Sequence, residues 1–173
     1  MLQIFLPAFM IVFVGTISVW SHIRKNKSVQ LTSTHRKIIN TELRMIDLFF
    51  KILLLFSGSL AIVYAYFPEY YYLAGPIDWL DIPIVNTIGV LILKISLIWI
   101  VLAQFNIEKT IALFNSGVES GSFHKLLSYS QKLILTGMLI MFFGFFVTIS
   151  SIVAIFIFIT ATLLFDRIQR IML

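Results

Sequence analysis

The sequence predicts an all-α, polytopic transmembrane helical bundle of five helices with a short C-terminal helical hairpin. The 173 residues are 60% apolar and 12% charged, whereas a soluble domain is about 45–50% apolar and about 25% charged. The mean hydropathy is +1.00, which excludes a disordered chain. The chain has no cysteine, so it is neither a disulfide scaffold nor a cysteine-nucleophile enzyme. We expect residues 1–173 to form a single integral membrane domain.

Long apolar stretches predict the first three helices. Residues 2–20 carry no charge and as a helix would cover about 28 Å, close to the hydrocarbon thickness of roughly 30 Å. No basic residue precedes this stretch and no small-residue cleavage site follows it, so we expect a retained helix rather than a signal peptide. Residues 45–67 and 82–105 are also long enough to cross a bilayer.

The apolar stretch 133–165 has the wrong length for a single crossing. Its 33 uncharged residues would extend about 50 Å as one helix. Thr148, Ser150 and Ser151 form the one polar cluster near its middle, and such hydroxyls favour turns because they bond local backbone groups. We therefore predict a tight hairpin of two helices, about 133–147 and 151–168. The alternative is one long tilted helix and four spans in total.

The positions of the charges predict the orientation. Eleven of the 13 basic residues lie in 21–44, 106–132 and the C-terminal end, whereas 68–81 holds three acidic residues and no basic one. The positive-inside rule then places the N-terminus outside and the C-terminus in the cytoplasm. Five helices place all three basic segments on the same side of the membrane. Four helices would place 106–132 and the basic C-terminal end on opposite sides. Because the basic residues flank spans, we expect membrane lipids and not nucleic acid as their partners.

Lys94 is the charge that this topology does not explain. It lies about 12 residues into the predicted third span, near the bilayer midplane, where an ionised lysine costs roughly 2.5–3.5 kcal/mol. We expect it to face the bundle interior or a wet cavity. Ser57, Ser59 and Tyr64 of the second helix fall at comparable depth and are its candidate neighbours. Lys94 is either a ligand anchor or a lysine satisfied by hydroxyls and backbone carbonyls.

Residues 79–173 resemble the isoprenylcysteine carboxyl methyltransferase and phospholipid methyltransferase-like membrane enzymes. Tyr129 and Gly137 match the ends of the family pattern Y-x-R-H-P-x-Y-x-G, but Gln131 and Lys132 stand where the family has Arg and His. After the hairpin, Arg167 and Ile168 match the start of R-I-x-x-E-E-x-x-L, and the acidic pair is missing. The resemblance implies a fold whose S-adenosylmethionine motifs are degenerate.

Two hypotheses of function follow. The first is a non-catalytic membrane component that binds a partner protein or lipid through its helix faces and its 106–132 connector, with no cofactor. The second is a small membrane enzyme that transfers a methyl group from S-adenosylmethionine to a lipid or lipidated substrate. The candidate ligand-binding residues are Lys94, Ser57, Tyr64, His124, Lys125, Tyr129, Gln131 and Lys132. No metal site is expected, because none of the three histidines has a metal-ligand spacing.

Overall fold

The computed structural model describes residues 5–16, 36–115 and 120–172, and helices account for nearly all of them. No strand forms within these ranges, so the all-α prediction is confirmed for them. The helices are α1 (Phe5–Thr16), α2 (Arg36–Tyr66), α3 (Pro83–Asn115), α4 (Ser120–Ile149) and α5 (Ile152–Met172), with a 3-10 helix at Pro68–Ala74.

The helices are longer than the apolar stretches that predicted them. α2 begins at Arg36 rather than 45, and α4 begins at Ser120 rather than 133. Most of the predicted 106–132 connector is therefore helical, as the end of α3 and the beginning of α4. The difference arises because hydropathy marks the part of a helix that suits a bilayer, whereas the backbone hydrogen bonds continue into polar sequence.

Three helices are long and apolar enough to cross a membrane, which supports a membrane protein. Their apolar parts are Pro83–Asn106, Lys132–Ile149 and Ile152–Arg170. In the described parts of α1 and α2, the apolar segments Phe5–Thr16 and Phe50–Tyr66 are shorter. The chain divides into an N-terminal unit, Met1–Pro76, and a C-terminal unit, Ile77–Leu173. A single domain over the whole chain remains a prediction.

In the N-terminal unit, α2 leads into an aromatic 3-10 helix. Tyr64 of α2 meets Tyr71 edge-on, with ring centroids 5.0 Å apart. Gly75 ends the 3-10 helix with φ of 62°, a left-handed conformation that glycine adopts without a steric penalty, and its N–H donates to Tyr72 O at 3.1 Å. Tyr70 and Tyr72 are exposed.

In the C-terminal unit, α3 and α4 run antiparallel in close contact. A β-carbon built on Gly137 would lie 2.5 Å from Ile100 Cγ1, and one built on Gly144 would lie 3.1 Å from Leu93 N. At the far end of the same contact, Gly89 of α3 lies against the side chain and backbone of Thr148. The small residues of α4 share a face and permit this close approach of the two helices.

The predicted break between the last two helices is also confirmed, and it lies at Ser150 and Ser151. Ser150 has a φ of 48°, the left-handed conformation that ends many helices. Ser151 caps α5, because its Oγ accepts a hydrogen bond from Ala154 N at 3.2 Å. Phe158 of α5 then folds back on Phe143 of α4, with ring centroids 5.3 Å apart. One long fourth helix is thereby excluded.

The buried junction is closed by the segment that precedes α3. Ile77 N donates to Ser150 O at 2.8 Å, and Ser150 Oγ donates to Val147 O at 3.1 Å. Helix ends leave backbone groups without partners, and a junction as buried as this one needs each of these bonds. The segment before α3 and the α4–α5 junction therefore lie at the same end of the unit.

The two ends of the C-terminal unit differ in charge. Asp78 and Asp81 lie beside the α4–α5 junction. Because the helices alternate in direction, the opposite end carries the basic positions of all three, Lys109, Lys125, Lys132, Arg167 and Arg170. The acidic and basic segments thus separate along the helix axes, as the charge pattern predicts. Which end faces the cytoplasm remains a prediction.

Candidate functional site

The inner face of α3, which packs on α4, is lined by small and polar side chains. We call it the inner stripe, and its residues recur alternately three and four positions apart, all buried: Asn86, Gly89, Leu93, Ser96, Ile100 and Ala103. On α4 the facing residues include Gly137 and Gly144. This spacing is that of a left-handed helix pair. The inner stripe is therefore an interface that the chain itself completes.

The opposite face of α3 has the same spacing and different side chains. We call it the outer stripe, and its seven large apolar residues are between 48% and 70% exposed: Ile84, Ile88, Leu91, Ile95, Ile98, Leu102 and Phe105. The stripe extends over three heptads, the length of the part of α3 that is long and apolar enough to cross a membrane. A helix that met it could insert its side chains between these residues as in a coiled coil.

Lys94 borders the outer stripe near the middle of the apolar part of α3. It is the twelfth of the 24 residues in Pro83–Asn106, so about 17 Å of helix separates it from either end of the span. Its side chain is exposed, so the expected place in the interior is wrong for the C-terminal unit, whereas the alternative of a wet cavity stays a prediction. The reason is geometric, since successive helix residues point about 100° apart and the neighbouring Leu93 occupies the interior face.

The three residues of α2 that were predicted as neighbours of Lys94 have partners within the N-terminal unit. Ser57 is fully buried, and its Oγ donates to Leu53 O at 2.8 Å. Ser59 Oγ bonds Leu55 O at 3.0 Å in the same manner, and Tyr64 packs on Tyr71. These bonds within one helix satisfy hydroxyls in an apolar setting. These residues belong to the N-terminal unit and Lys94 to the C-terminal unit, so their grouping stays a prediction.

The five candidate ligand-binding residues of the predicted 106–132 connector lie in the first turns of α4. Of these five candidates, only Lys132 has a described side chain, which is half-buried. Its carbonyl accepts a hydrogen bond from Thr136 Oγ1 at 2.8 Å. The side chains of the other four lie outside the described part of the structure: His124, Lys125, Tyr129 and Gln131. A role for them in binding S-adenosylmethionine stays a prediction.

Trp99 forms a contact that sequence reasoning missed. Its indole Nε1 donates to Leu133 O at 3.1 Å, from α3 to the backbone of α4. Gly137, one turn further along α4, leaves room for the ring, because a β-carbon there would lie 3.1 Å from Trp99 Cδ1. The sequence signal that could have predicted this contact is a tryptophan on α3 at the level of a glycine on α4. The bond fixes the register of α3 against α4.

A polar cluster lies at the beginning of α3. Asn86 Nδ2 donates to Asp81 Oδ1 at 2.8 Å, and Asn86 Oδ1 is buried without a hydrogen bond from the described residues. Ser150 Oγ lies 3.4 Å from Leu80 O in the same region. These groups tie the turn before α3 to the α4–α5 junction. Among the described residues, no three His, Asp or Glu side chains form a metal-binding group.

The fold and these two faces define an α-helical protein of the membrane type, in which an antiparallel three-helix unit has one completed interface and one exposed stripe bordered by a lysine. No protein-family model matches the chain, and neither the curated proteins nor the solved structures provide a significant match.

Proposed function

We propose that this chain is a non-catalytic, multi-pass membrane component that binds another membrane protein through the outer stripe of α3. One observation carries the proposal: Lys94 is exposed beside seven exposed apolar residues, in the middle of a segment long and apolar enough to span a membrane. Lipid tails suit the apolar residues, but they offer nothing to an ammonium group. A protein surface at this face could pack against the apolar residues and also offer polar groups to Lys94.

The relative placement of α3, α4 and α5 supports several crossings. Each helix has an apolar part of at least 18 residues, and the three alternate in direction about the Gly137 contact and the Ser150 turn. An antiparallel trio of this length would cross the membrane three times, with its acidic end on one side and its basic end on the other. The positive-inside rule favours a cytoplasmic basic end.

Photo-crosslinking tests the binding face. A photoreactive residue replaces Ile95 on the outer stripe, and in a matched control it replaces Phe156, a residue of α5 that is also exposed. We expect position 95 in native membranes to give one protein adduct of discrete mass, shared by positions 91 and 98 and absent from position 156. Lipid adducts alone from all of these positions would contradict protein binding and would favour a lipid-facing stripe.

Cysteine accessibility tests the orientation, and the chain has no cysteine that would give a background signal. Ser120→Cys at the basic end should react with a membrane-impermeant thiol reagent only after the membrane is opened. Asp78→Cys at the acidic end should react in intact cells. The reverse pattern would invert the orientation, and reaction of both from outside would contradict an odd number of crossings between them.

Calorimetry with S-adenosylmethionine tests the competing enzyme hypothesis. Two residues of the methyltransferase resemblance, Tyr129 and Gln131, have side chains outside the described part of the structure, and no described contact adds to the resemblance. We expect no heat of binding at millimolar cofactor with the purified full chain. Saturable heat that Gln131→Ala abolishes would replace the non-catalytic proposal with an enzyme.

A further inference from the structure

We infer that the helix bound by the outer stripe carries a carboxylate, Asp or Glu, at mid-membrane depth, and that this carboxylate pairs with Lys94. The inference rests on the proposed function, because it names the chemistry of the partner that the outer stripe would bind. The partner's span must then have an acidic residue near its centre, which apolar packing alone would not require.

The depth of Lys94 carries the first step. A lysine near the end of a span extends its ammonium to the headgroup region, but about 17 Å of helix separates Lys94 from each end of Pro83–Asn106. Lipid phosphates lie at the surfaces of a hydrocarbon core of about 30 Å, beyond the length of one side chain. An anion that meets Lys94 at its own depth must therefore come from protein.

The position of Lys94 on α3 carries the second step. It immediately precedes Ile95, and in the heptad of the outer stripe it occupies the place beside the apolar seam. Charges at such flanking places select the partner helix and its register in coiled coils. Lys94 takes part in an interaction inside the chain and is nevertheless exposed. An exposed residue at this place would lie beside a helix that packs on the stripe.

Charge also argues against a second copy of this chain as the occupant. Two copies in one membrane would meet in parallel about a two-fold axis, which brings both Lys94 residues to the same depth. Like charges in a low-dielectric setting repel strongly. On the described outer face of α3, from Ile84 to Phe105, Lys94 is the one charged residue, so a copy would supply no carboxylate there. A different chain with an acidic residue resolves this repulsion.

Synthetic transmembrane peptides test the inference. The purified full chain is placed in vesicles of a zwitterionic phospholipid with a Leu-rich 20-residue peptide that has Glu at its centre, and association is measured by fluorescence energy transfer. Matched peptides carry Gln, Lys or Leu at the same place. We expect the Glu peptide to bind about tenfold more tightly than the Leu peptide, as interhelical polar contacts in membranes allow.

Variants of Lys94 make the test specific. Lys94→Leu should remove the preference for the Glu peptide, Lys94→Arg should keep it, and Lys94→Glu should transfer it to the Lys peptide. Because Lys94 is exposed, these variants should unfold at the same temperature as the parent chain, which thermal melts would verify.

The outcomes separate this inference from the proposed function. If all four peptides bind equally, the outer stripe binds helices and the carboxylate requirement is wrong. If the Glu preference survives in Lys94→Leu, the pairing with Lys94 is wrong. If no peptide associates and position 95 crosslinks only to lipid, both the inference and the proposed function are overturned.

Discussion

The inner and outer stripes of α3 share one spacing and differ in side-chain size. The inner stripe has Gly89, Ser96 and Ala103 at intervals of seven residues, and α4 packs close against it. The outer stripe has isoleucine, leucine and phenylalanine throughout and is exposed. Between helices in a membrane, small residues favour contact because they let the backbones approach, whereas bulk apolarity alone does not distinguish a partner from lipid.

The comparison shows where a hydropathy pattern ceases to be informative. Both stripes are compatible with a membrane, and either could face lipid on that criterion. The inner stripe is identified by its glycines and by a tryptophan that bonds across the contact. The outer stripe is distinguished from a lipid-facing surface by Lys94 alone.

Gly89→Ala should break the inner stripe and have the largest effect on stability. The added carbon would lie 2.6 Å from Thr148 N, a backbone atom that cannot swing aside. We expect a loss of about 1–3 kcal/mol, as for other overpacked cores, measured by unfolding in detergent micelles. The matched control is Gly58→Ala in α2, where nothing lies within 4 Å of the added carbon. Equal effects of the two changes would contradict close packing at Gly89.

Substitutions of Ser150 test how much the left-handed turn at the α4–α5 junction contributes to stability. Both Ser150→Gly and Ser150→Val remove the hydroxyl, so their difference reports the backbone strain together with the packing of the valine side chain at this buried position. Valine is strained at the φ of 48°, whereas glycine is not, and such strain costs about 1–3 kcal/mol. Ser150→Val should therefore unfold at the lower temperature. If the two variants melt together, the left-handed turn is not the conformation of the junction.

Particular residues show how much of this fold the sequence could predict. The hydroxyls of Thr148, Ser150 and Ser151 located the break between α4 and α5, because an apolar stretch leaves few other groups to end a helix. Gly137 and Gly144, seven residues apart, indicated the packed face of α4. The beginnings of α2 and α4 were predicted too late, since hydropathy reports the environment of a helix and not its hydrogen bonds.

The candidate site was predicted in part. Lys94 stood out because an ionisable residue in mid-span is costly wherever it lies. Its direction could not be predicted, because that depends on which face of α3 meets α4, a property of the packed pair. The bond from Trp99 to Leu133 O was missed for the same reason. Ser57, in contrast, satisfies its hydroxyl within its own helix, which no pattern of spacing distinguishes from a ligand site.

Trp99→Phe should weaken the inner contact by a smaller amount. The change removes the hydrogen bond from Nε1 to Leu133 O and keeps an aromatic ring against Gly137. Hydrogen bonds between membrane helices average about 0.6 kcal/mol, and we expect a loss of that order in micelle unfolding. Trp79→Phe, in the exposed turn before α3, is the control and should leave stability unchanged. If Trp99→Phe were as stable as the parent chain, the hydrogen bond from Trp99 to Leu133 O would not contribute to the contact of α3 with α4.

Ile95→Ala should have the smallest effect on folding. The side chain is 55% exposed on the outer stripe, and exposed positions commonly change stability by less than about 0.5 kcal/mol. Binding of the Glu-centred peptide should nevertheless weaken, because Ile95 lies beside Lys94 where the partner helix would pack. Phe156→Ala on α5 is the control, with a side chain of similar exposure on a helix outside the proposed interface. A variant that folds normally and binds poorly would separate the two faces of α3 most clearly, since one face would hold the protein together and the other would bind its partner. Equal peptide binding by both variants would instead leave the outer stripe as a surface for lipid.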